Sequence, residues 1–320
     1  MPRLSVILLS LDGGVSVRKV VRHLSTHRQA GELEIVLAIT EDATLELDPP
    51  QAFAGFRVVR APVLEDMGKA RATAIRAASA PFIALAEDHS FPVEGWAQAL
   101  LVPLESGAPA VGPHIRVANP ATSISWADAI LCYGAYLRPS RQAATTHLPW
   151  HNSAYRRDVL LAFGDRLDFL LQADSLLQAA LVEQGHRLAM SAEAVTEHCN
   201  YSLLRPHWVA LFVGNRLYGA TRAMREDWPA LRRLVYAAAW PAIVALRTGR
   251  AVRTGFGLRG QRLRYHTLLP LLLAGAIVAA GGEAWGYLFG LGAATLRIRS
   301  YCELNRAMHV RPSEVALLKD

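Results

Sequence analysis

Three adjacent residues, Glu87, Asp88 and His89, form the most chemically suggestive stretch of the sequence. They follow directly after a short apolar run, 82–86, which is bounded by prolines and is typical of a fully buried β-strand. In open α/β sheets, ligands gather at the carboxyl ends of the strands. Two carboxylates and an imidazole at such a strand end suit Mg²⁺ or Mn²⁺. Considered alone, the three residues also fit a solvated loop.

Strand and helix patterns alternate around this run. Short apolar runs predict strands, and apolar residues at helical spacing predict helices. The predicted strands are 4–10, 34–39, 56–60, 82–86, 110–118 and 187–189. The predicted helices are 15–26, 67–80, 96–104, 130–136, 158–163 and 170–184. This order predicts a doubly wound, mostly parallel α/β sheet whose central strand leads into the acidic turn.

Length and composition limit the class of protein. A chain of 320 residues is long enough for one large or two modest domains, and 52% hydrophobic residues support a large core. The three cysteines are widely spaced and odd in number, so neither a disulfide framework nor a zinc pattern follows, and a reducing cytosolic compartment fits. The N-terminus runs into the first strand without a signal-peptide core, so we expect no secretion.

Positive charge is concentrated in one part of the chain. The net charge is +7, and twelve arginines between Tyr201 and His266 face only two acidic residues, Glu226 and Asp227. This excess predicts an anionic partner such as a membrane surface, a phosphorylated lipid or nucleic acid. Nucleic acid fits less well because the arginines are interleaved with apolar runs rather than with a polar binding face.

The segment 267–296 is nearly uncharged, with Glu283 as its one charged residue. About 20 apolar residues suffice to span a bilayer, and basic flanks are typical of the cytoplasmic side. A tilted span, a re-entrant hairpin, an in-plane amphipathic pair and a buried helical pair of a soluble domain all remain open. We therefore expect a sheet domain at 1–200 and a basic, apolar, membrane-associating helical region at 201–320.

Four stretches of the first 200 residues resemble, in order, the family 2 nucleotide-sugar glycosyltransferases, inverting enzymes with a GT-A fold. The helix from Gly68 resembles the helix that precedes the family's central strand, and 85–96 resembles its Asp-x-Asp strand end with the following Gly-Trp. Asp174, eleven residues before Gly185, resembles the family's Glu-Asp helix start. His198 stands where the family often has a metal-binding histidine. The resemblance implies a GT-A fold and a nucleotide-sugar donor.

The resemblance also implies roles in catalysis and metal binding. A divalent cation, Mn²⁺ or Mg²⁺, would bridge the diphosphate of the donor and offset the charge of the leaving group. Asp88, His89 and His198 are the implied metal ligands, and Glu87 and Asp88 also belong to the implied donor site. Asp174 is the implied base that removes a proton from the acceptor hydroxyl. A plain helix cap is the alternative for Asp174, because Asp is a favoured capping residue.

Further positions are implied to contact the substrates. For the nucleotide they are Ser10 at the end of the first strand, Glu41 in the turn after the second, and Arg71, whose guanidinium can stack on a base and pair with phosphate. For the sugar and the acceptor they are Trp150 and Asn152.

Several residues depart from the family pattern. The family's Asp-Asp-Gly-Ser after the second strand is missing, His89 replaces an aspartate, and Ala173 replaces a glutamate. Because of these departures, the sequence alone does not decide whether the chain has the complete active site of the family.

Together these features predict transfer of a sugar from a UDP- or GDP-sugar to a lipid-linked or polysaccharide acceptor, at the cytoplasmic face of a membrane. Two alternatives remain. A nucleotidyltransferase would need a basic, glycine-rich loop after the first strand, and the sequence offers Asp12-Gly13-Gly14 with no basic residue before Arg18. A degenerate transferase serving as a membrane scaffold fits the missing acidic residues.

Overall fold

A computed structural model describes residues 1–138, 145–149, 152–258, 261 and 263–319, and at Asp174, Arg299 and Ser300 it describes the backbone only. The chain forms two compact units. The first comprises Met1–Arg116, Arg138–His198 and Ala316–Asp320, and the second comprises Val117–Leu137 and Cys199–Val315. The second unit therefore includes a segment that precedes residue 200.

The first unit is built on an eight-stranded sheet. Its strands are β1 Leu4–Ser10, β2 Leu33–Ile39, β3 Gly55–Arg60, β4 Phe82–Leu85, β5 Ser90–Pro92, β6 Ala110–Val117, β7 Ala154–Arg156 and β8 Ala189–His198. Their spatial order is β3-β2-β1-β4-β7-β6-β8-β5. Ser10 lies opposite Ile39, and Ile7 lies opposite Leu85, so β1, β2 and β4 end at the same edge.

The sheet is mixed, which corrects the prediction of a mostly parallel sheet. The pairs β1–β2, β1–β4 and β2–β3 are parallel. The pairs β4–β7, β6–β7 and β5–β8 are antiparallel. Apolar runs mark strands but not their direction, because direction depends on the route of the connections.

The helices of both units follow the apolar spacing of the sequence. In chain order they are α1 Arg18–Ser25, α2 Met67–Ala77, α3 Trp96–Glu105, α4 Ser123–Tyr133, α5 Arg157–Leu161, α6 Arg166–Leu170, α7 Asp174–Glu183, α8 Leu204–Arg225, α9 Ala230–Ala238, α10 Trp240–Gly257, α11 Tyr265–Phe289 and α12 Ala294–Arg297. Shorter 3₁₀ turns occur at Ala30–Glu32, Gly134–Tyr136, Arg306–His309 and Pro312–Leu317.

Helices cover both faces of the parallel part of the sheet. Every residue of β1 and β2 is buried. Successive residues of a strand point to opposite faces, and the face that carries Leu4, Val6 and Leu8 packs against α1 and α3. Helix α2 contacts β1, β2 and β3, and its first turn is capped by Asp66, which accepts a hydrogen bond from the Lys69 backbone N–H at 2.9 Å. The unit is thus an α/β domain.

The second unit is a helical bundle organised on α8 and α11. A Cβ atom added at Gly282 or Gly286 would lie 2.3 Å from a carbonyl oxygen of α8, so these glycines allow the two backbones to touch. Helix α11 continues without a break through Gly281 and Gly282. This excludes the re-entrant hairpin that the glycine pair left open.

Among the described residues, one helix is long and apolar enough to cross a membrane. It is Tyr265–Phe289, with a mean hydropathy of 1.6 in its most apolar window, and 44% of that window is buried inside the protein. Length and composition of this kind are also met by the core helix of a soluble bundle.

Candidate metal and donor site

The site forms where β4 and β8 end. Residues 86–89 continue from β4, and β5 then begins at Ser90. Strand β5 runs antiparallel to the last residues of β8, so that Ser90 lies opposite His198. This pairing brings His198 beside the Glu87-Asp88-His89 turn, although more than a hundred residues separate them in the chain.

Glu87, His89 and His198 converge in the protein interior. The Oε2 atom of Glu87 lies 3.6 Å from Nε2 of His89 and 3.5 Å from Nε2 of His198. The two imidazole rings meet edge to face, with their centroids 4.8 Å apart. All three residues are buried. One carboxylate oxygen and two imidazole nitrogens therefore surround a single point.

Two neutral side chains hold the carboxylate of Glu87. The Ser90 hydroxyl donates a hydrogen bond to Oε2 at 2.5 Å, and Nδ2 of Asn152 donates another at 3.2 Å. Both residues are buried. Asn152 lies two residues before the β7 strand, which pairs with β4, and this pairing explains its position. The structure thus places Asn152 against the acidic turn, and its role toward sugar or acceptor stays a prediction.

Asp88 lies on the other side of His89. Its Oδ1 atom is 2.5 Å from Nδ1 of His89. A carboxylate can only accept here, so Nδ1 carries the proton, and Nε2, which faces Glu87, is the ring nitrogen left to bind a cation. Metal-binding histidines commonly have such a carboxylate behind them, which fixes the tautomer and raises the basicity of the ligand nitrogen. The contact favours Asp88 as the residue that orients His89, and direct coordination by Asp88 stays a prediction.

The cluster fits a divalent cation. The ligand atoms of Glu87, His89 and His198 all lie within 4.8 Å of one another. Ligand atoms bound about 2.1 Å from one first-row ion stand roughly 3–3.5 Å apart, close to the two distances from Glu87 to the imidazole nitrogens, 3.6 and 3.5 Å. Mixed imidazole and carboxylate ligands suit Mn²⁺ and its transition-metal neighbours better than Mg²⁺, which prefers oxygen.

The sequence of the sheet domain matches a known protein family. Residues 25–163 match the family described as "Glycosyl transferase family 2". The matched region contains the acidic turn, β4 and Asn152. Over these residues the sheet domain is similar to glycosyl transferase family 2. No curated protein sequence matches the chain.

The solved structure of a mannosyltransferase supports a GT-A-like fold for this sheet domain. A mannosyltransferase from Pyrobaculum calidifontis, solved in complex with GDP-Man and Mn²⁺, shares 15% identity at a TM-score of 0.56, with 89% of this chain and 87% of that one covered. TarS from S. aureus with UDP-GlcNAc gives 11% identity, a TM-score of 0.47 and coverage of 89% and 90%. Glucosyl-3-phosphoglycerate synthase from Mycobacterium tuberculosis gives 19% identity and a TM-score of 0.46, with 71% of this chain and 80% of that one covered.

Ser10 shapes the turn that follows β1 in the first unit. Its buried hydroxyl donates to Oδ1 of Asp12 at 2.5 Å and accepts from the Gly14 backbone N–H at 2.9 Å. Gly13 and Gly14 have φ values of 67° and 103°, which favour glycine. The hydroxyl therefore organises the loop at the edge of the sheet where β1 ends, and a direct contact with the nucleotide stays a prediction.

Arg71 and Glu41 occupy different environments at this edge. Arg71 is buried in α2, and its Nη1 donates to the Leu171 carbonyl at 3.0 Å, which ties α2 to the segment before α7. Glu41 is exposed in the turn after β2, where its backbone carbonyl accepts a hydrogen bond from Arg60. Their contacts with a nucleotide stay predictions.

The structure does not describe two of the residues that the sequence singles out. Trp150 lies outside the described residues, and the side chain of Asp174 does as well. The backbone of Asp174 opens α7, and the capping position before it is taken by Ala173. Asp174 is thus the first helical residue rather than the cap.

Sequence reasoning missed one member of the site, Ser90. Its adjacency to the acidic turn was visible, but its contact depends on β5, a three-residue strand that contains Pro92 and gives no periodic signal.

Proposed function

We propose that the chain transfers a sugar from a nucleotide-diphosphate-sugar, a UDP- or GDP-sugar, with a divalent cation held by Glu87, His89 and His198. The observation that carries this proposal is the convergence of these three buried residues at the carboxyl end of β4 in a domain similar to family 2. The Pyrobaculum calidifontis enzyme, whose fold this chain shares, is solved with GDP-Man and Mn²⁺. Its sequence is only 15% identical, so it supports the fold and not the choice of sugar.

When bound at Glu87, His89 and His198, a cation would supply positive charge that offsets the negative charge built up on the leaving diphosphate. The protein supplies the positions of the ligands. Ser90 and Asn152 hold the carboxylate of Glu87 from two directions, and Asp88 fixes the proton on Nδ1 of His89. Locked ligands of this kind need little rearrangement when the donor binds.

We propose Asp174 as the base in a reaction that inverts the anomeric carbon. The base takes the proton of the acceptor hydroxyl while this oxygen forms the bond to the anomeric carbon, and the nucleoside diphosphate leaves from the opposite face. A carboxylate in the first turn of a helix is kept ionised by the helix dipole. Asp174 begins the ten-residue helix α7, which supports this role.

A lipid-linked or polysaccharide acceptor at the cytoplasmic face of a membrane fits the second unit. Between Tyr201 and His266 twelve arginines stand against two acidic residues, and such a surface suits the phosphate of a lipid or anionic headgroups. Exposed apolar side chains in the same region support membrane contact.

A thermal-shift screen tests the donor and the cation together. UDP- and GDP-sugars are added to the full chain with Mn²⁺, with Mg²⁺ or with neither, because a ligand that binds the native state raises its melting temperature. We expect one nucleotide class to stabilise the protein in the presence of Mn²⁺. The matched variant Glu87→Gln should lose this Mn²⁺-dependent shift.

Three other results of this screen would contradict the proposal. A donor shift that is equal in wild type and Glu87→Gln would remove the cation site from donor binding. A chain that no nucleotide sugar stabilises would be the scaffold considered above. A response to nucleoside triphosphates in place of nucleotide sugars would indicate a nucleotidyltransferase.

A further inference from the structure

The helix α9 carries its apolar side outward. In a helix of a soluble protein the apolar stripe normally faces the core. In α9 the residues at positions i, i+3, i+4 and i+7 are Leu231, Leu234, Val235 and Ala238, and all four are exposed. The three larger side chains have exposed fractions of 72%, 57% and 57%. Ala237, on the opposite side, is buried.

Helix α10 continues this pattern and ends in positive charge. It follows α9 after one residue. Its first turns expose Trp240 and Leu246, the latter by 61%. Farther along, Arg250 and Arg253 are exposed. An outward apolar stripe beside arginines is the pattern of a helix that lies in the interface of an anionic bilayer, where tryptophan is also favoured.

The surroundings of α9 show that the helix is held in this orientation. Arg232 lies over the ring of Trp228, with 4.3 Å between its guanidinium carbon and the ring centroid, and it pairs with Glu226 at 3.3 Å. Nε of Arg233 donates to the Trp228 carbonyl at 2.9 Å. Trp228 itself is buried and stacks on Tyr287. The polar side of α9 is therefore anchored to the bundle, which leaves the leucines outside.

Helix α11, the apolar segment of the sequence, packs one side into the bundle and exposes apolar residues on the other: Leu273, Ile277, Trp285, Leu288 and Phe289. Its packing partner is α8, whose backbone it touches through Gly282 and Gly286. A helix that crossed the bilayer would take this partner with it. Helix α8 contains four arginines, each expensive to place in hydrocarbon: Arg205, Arg216, Arg222 and Arg225. Its composition thus opposes a transmembrane position for the pair.

We infer that the second unit binds the surface of an anionic bilayer through the outward stripes of α9 and α10, which lie in the plane of the interface, and that α11 does not cross the membrane. The lipid-contacting residues are Leu231, Leu234, Val235, Trp240 and Leu246, with Arg250 and Arg253 toward the headgroups. This inference specifies the membrane contact of the proposed function and rests on it for the lipid-linked acceptor.

Vesicle flotation with the full chain tests the inference. Vesicles of phosphatidylcholine with 30% phosphatidylglycerol are compared with pure phosphatidylcholine. Two arginines at the surface contribute about 1 kcal/mol each, so we expect binding to be at least about tenfold stronger on the anionic vesicles. The double variant Leu234→Glu/Leu246→Glu should bind these vesicles at least about tenfold more weakly, since burial of one leucine is worth about 1.5–3 kcal/mol.

Two further variants serve as comparisons. Val102→Glu is the matched control, because Val102 is an apolar residue of the first unit that is 53% exposed on α3, and we expect it to bind like wild type. Ile277→Glu places a charge at the middle of α11, on its exposed side. A charge at the centre of a spanning helix opposes insertion, whereas in-plane binding predicts a smaller effect than that of the double variant.

Several results would overturn the inference. Equal binding of wild type and the double variant would do so, as would an effect of Ile277→Glu larger than that of the double variant. A wild type that is dimeric without vesicles, and becomes monomeric in the double variant without losing vesicle binding, would assign the stripe to a second copy.

Donor binding is measured on the same preparations by the thermal-shift screen. Lost vesicle binding with intact donor binding confirms that the two functions are separate. A wild type that floats but binds no donor contradicts the proposed function and leaves the membrane inference standing.

Discussion

Two buried glutamates, Glu87 in the first unit and Glu283 in the second, show how partners decide what an acidic side chain does. Both are almost inaccessible to solvent. Glu283 accepts from Nη2 of Arg247 at 2.6 Å and from the Tyr287 hydroxyl at 2.7 Å. Its charge is thus neutralised by a permanent cation. Glu87 faces a ring nitrogen of each of two histidines, a hydroxyl and an amide.

The difference between these partners distinguishes an acidic residue that stabilises the fold from one that can bind a cation. An ion pair such as Arg247 with Glu283 satisfies a buried charge within the fold, and removing one partner leaves the other uncompensated. Each imidazole beside this carboxylate has a ring nitrogen that can bind an added cation. Each prediction below tests one side of this comparison, beginning with the largest expected effect.

Glu87→Gln should abolish cation-dependent transfer. An amide is a poor replacement for a carboxylate ligand, and charge stabilisation by a bound cation is worth several kcal/mol, so we expect sugar transfer to fall at least about a thousandfold. The melting temperature without metal should stay unchanged or rise, because a buried charge is removed. A loss of activity that accompanies unfolding would instead make Glu87 a structural acid like Glu283.

Asp174→Asn should separate chemistry from binding. Asparagine keeps the shape but cannot accept the proton, and general-base catalysis is worth about 10²–10⁴-fold. We expect normal donor binding with transfer slowed at least about a hundredfold, measured on one preparation. Asp165→Asn, at an exposed carboxylate near the same helix, is the control and should behave like wild type. Transfer at the normal rate in Asp174→Asn would end the proposed role as base.

Asp88→Asn should weaken the cation site without removing it. The amide can donate to Nδ1 of His89 and so move the ring proton to Nε2, which blocks the ligand nitrogen. Loss of such a supporting partner typically costs about 10–100-fold in metal affinity. Titration with Mn²⁺ measures the affinity. An effect as large as that of Glu87→Gln would make Asp88 a direct ligand, as the family resemblance implied.

Glu283→Gln should affect folding and leave catalysis intact. The Arg247 side chain retains partial access to water, so we expect the free energy of unfolding to fall by about 1–3 kcal/mol. Urea denaturation followed by tryptophan fluorescence measures this change. Glu105→Gln breaks an exposed pair with Arg3 and should change stability by less than about 1 kcal/mol. A drop in Mn²⁺ affinity in Glu283→Gln would contradict the assignment.

Much of the fold could be predicted from the sequence. The continuous apolar runs of β1 and β2 are fully buried in the structure, as a strand covered on both faces requires. Strand β5 could not be predicted, because three residues that include Pro92 carry no periodicity. Strand β7 was not predicted at all, and the antiparallel direction of β8 was missed because its pairing with β5 depends on a distant part of the chain.

The candidate site was partly visible in the same way. Glu87, Asp88 and His89 are adjacent, so their placement at one strand end follows from β4 alone. The position of His198 beside them depends on the β5–β8 pairing and could be suggested only by family resemblance. The different roles of Asp88 and Glu87 depend on which way each side chain turns, and a sequence does not contain that information. The outward orientation of the apolar side of α9 could not be predicted either, since amphipathic spacing does not tell which side of a helix faces the solvent.

The central claim is that two imidazoles and one carboxylate hold the cation. Pulsed electron paramagnetic resonance of Mn²⁺ bound to the full chain tests it directly, because nitrogen nuclei on the metal produce a modulation that oxygen ligands do not. We expect nitrogen coupling in wild type and its reduction in His198→Ala, with no change in the control His186→Ala. Mn²⁺ bound without nitrogen coupling, or coupling unchanged in His198→Ala, would contradict the assignment of this site.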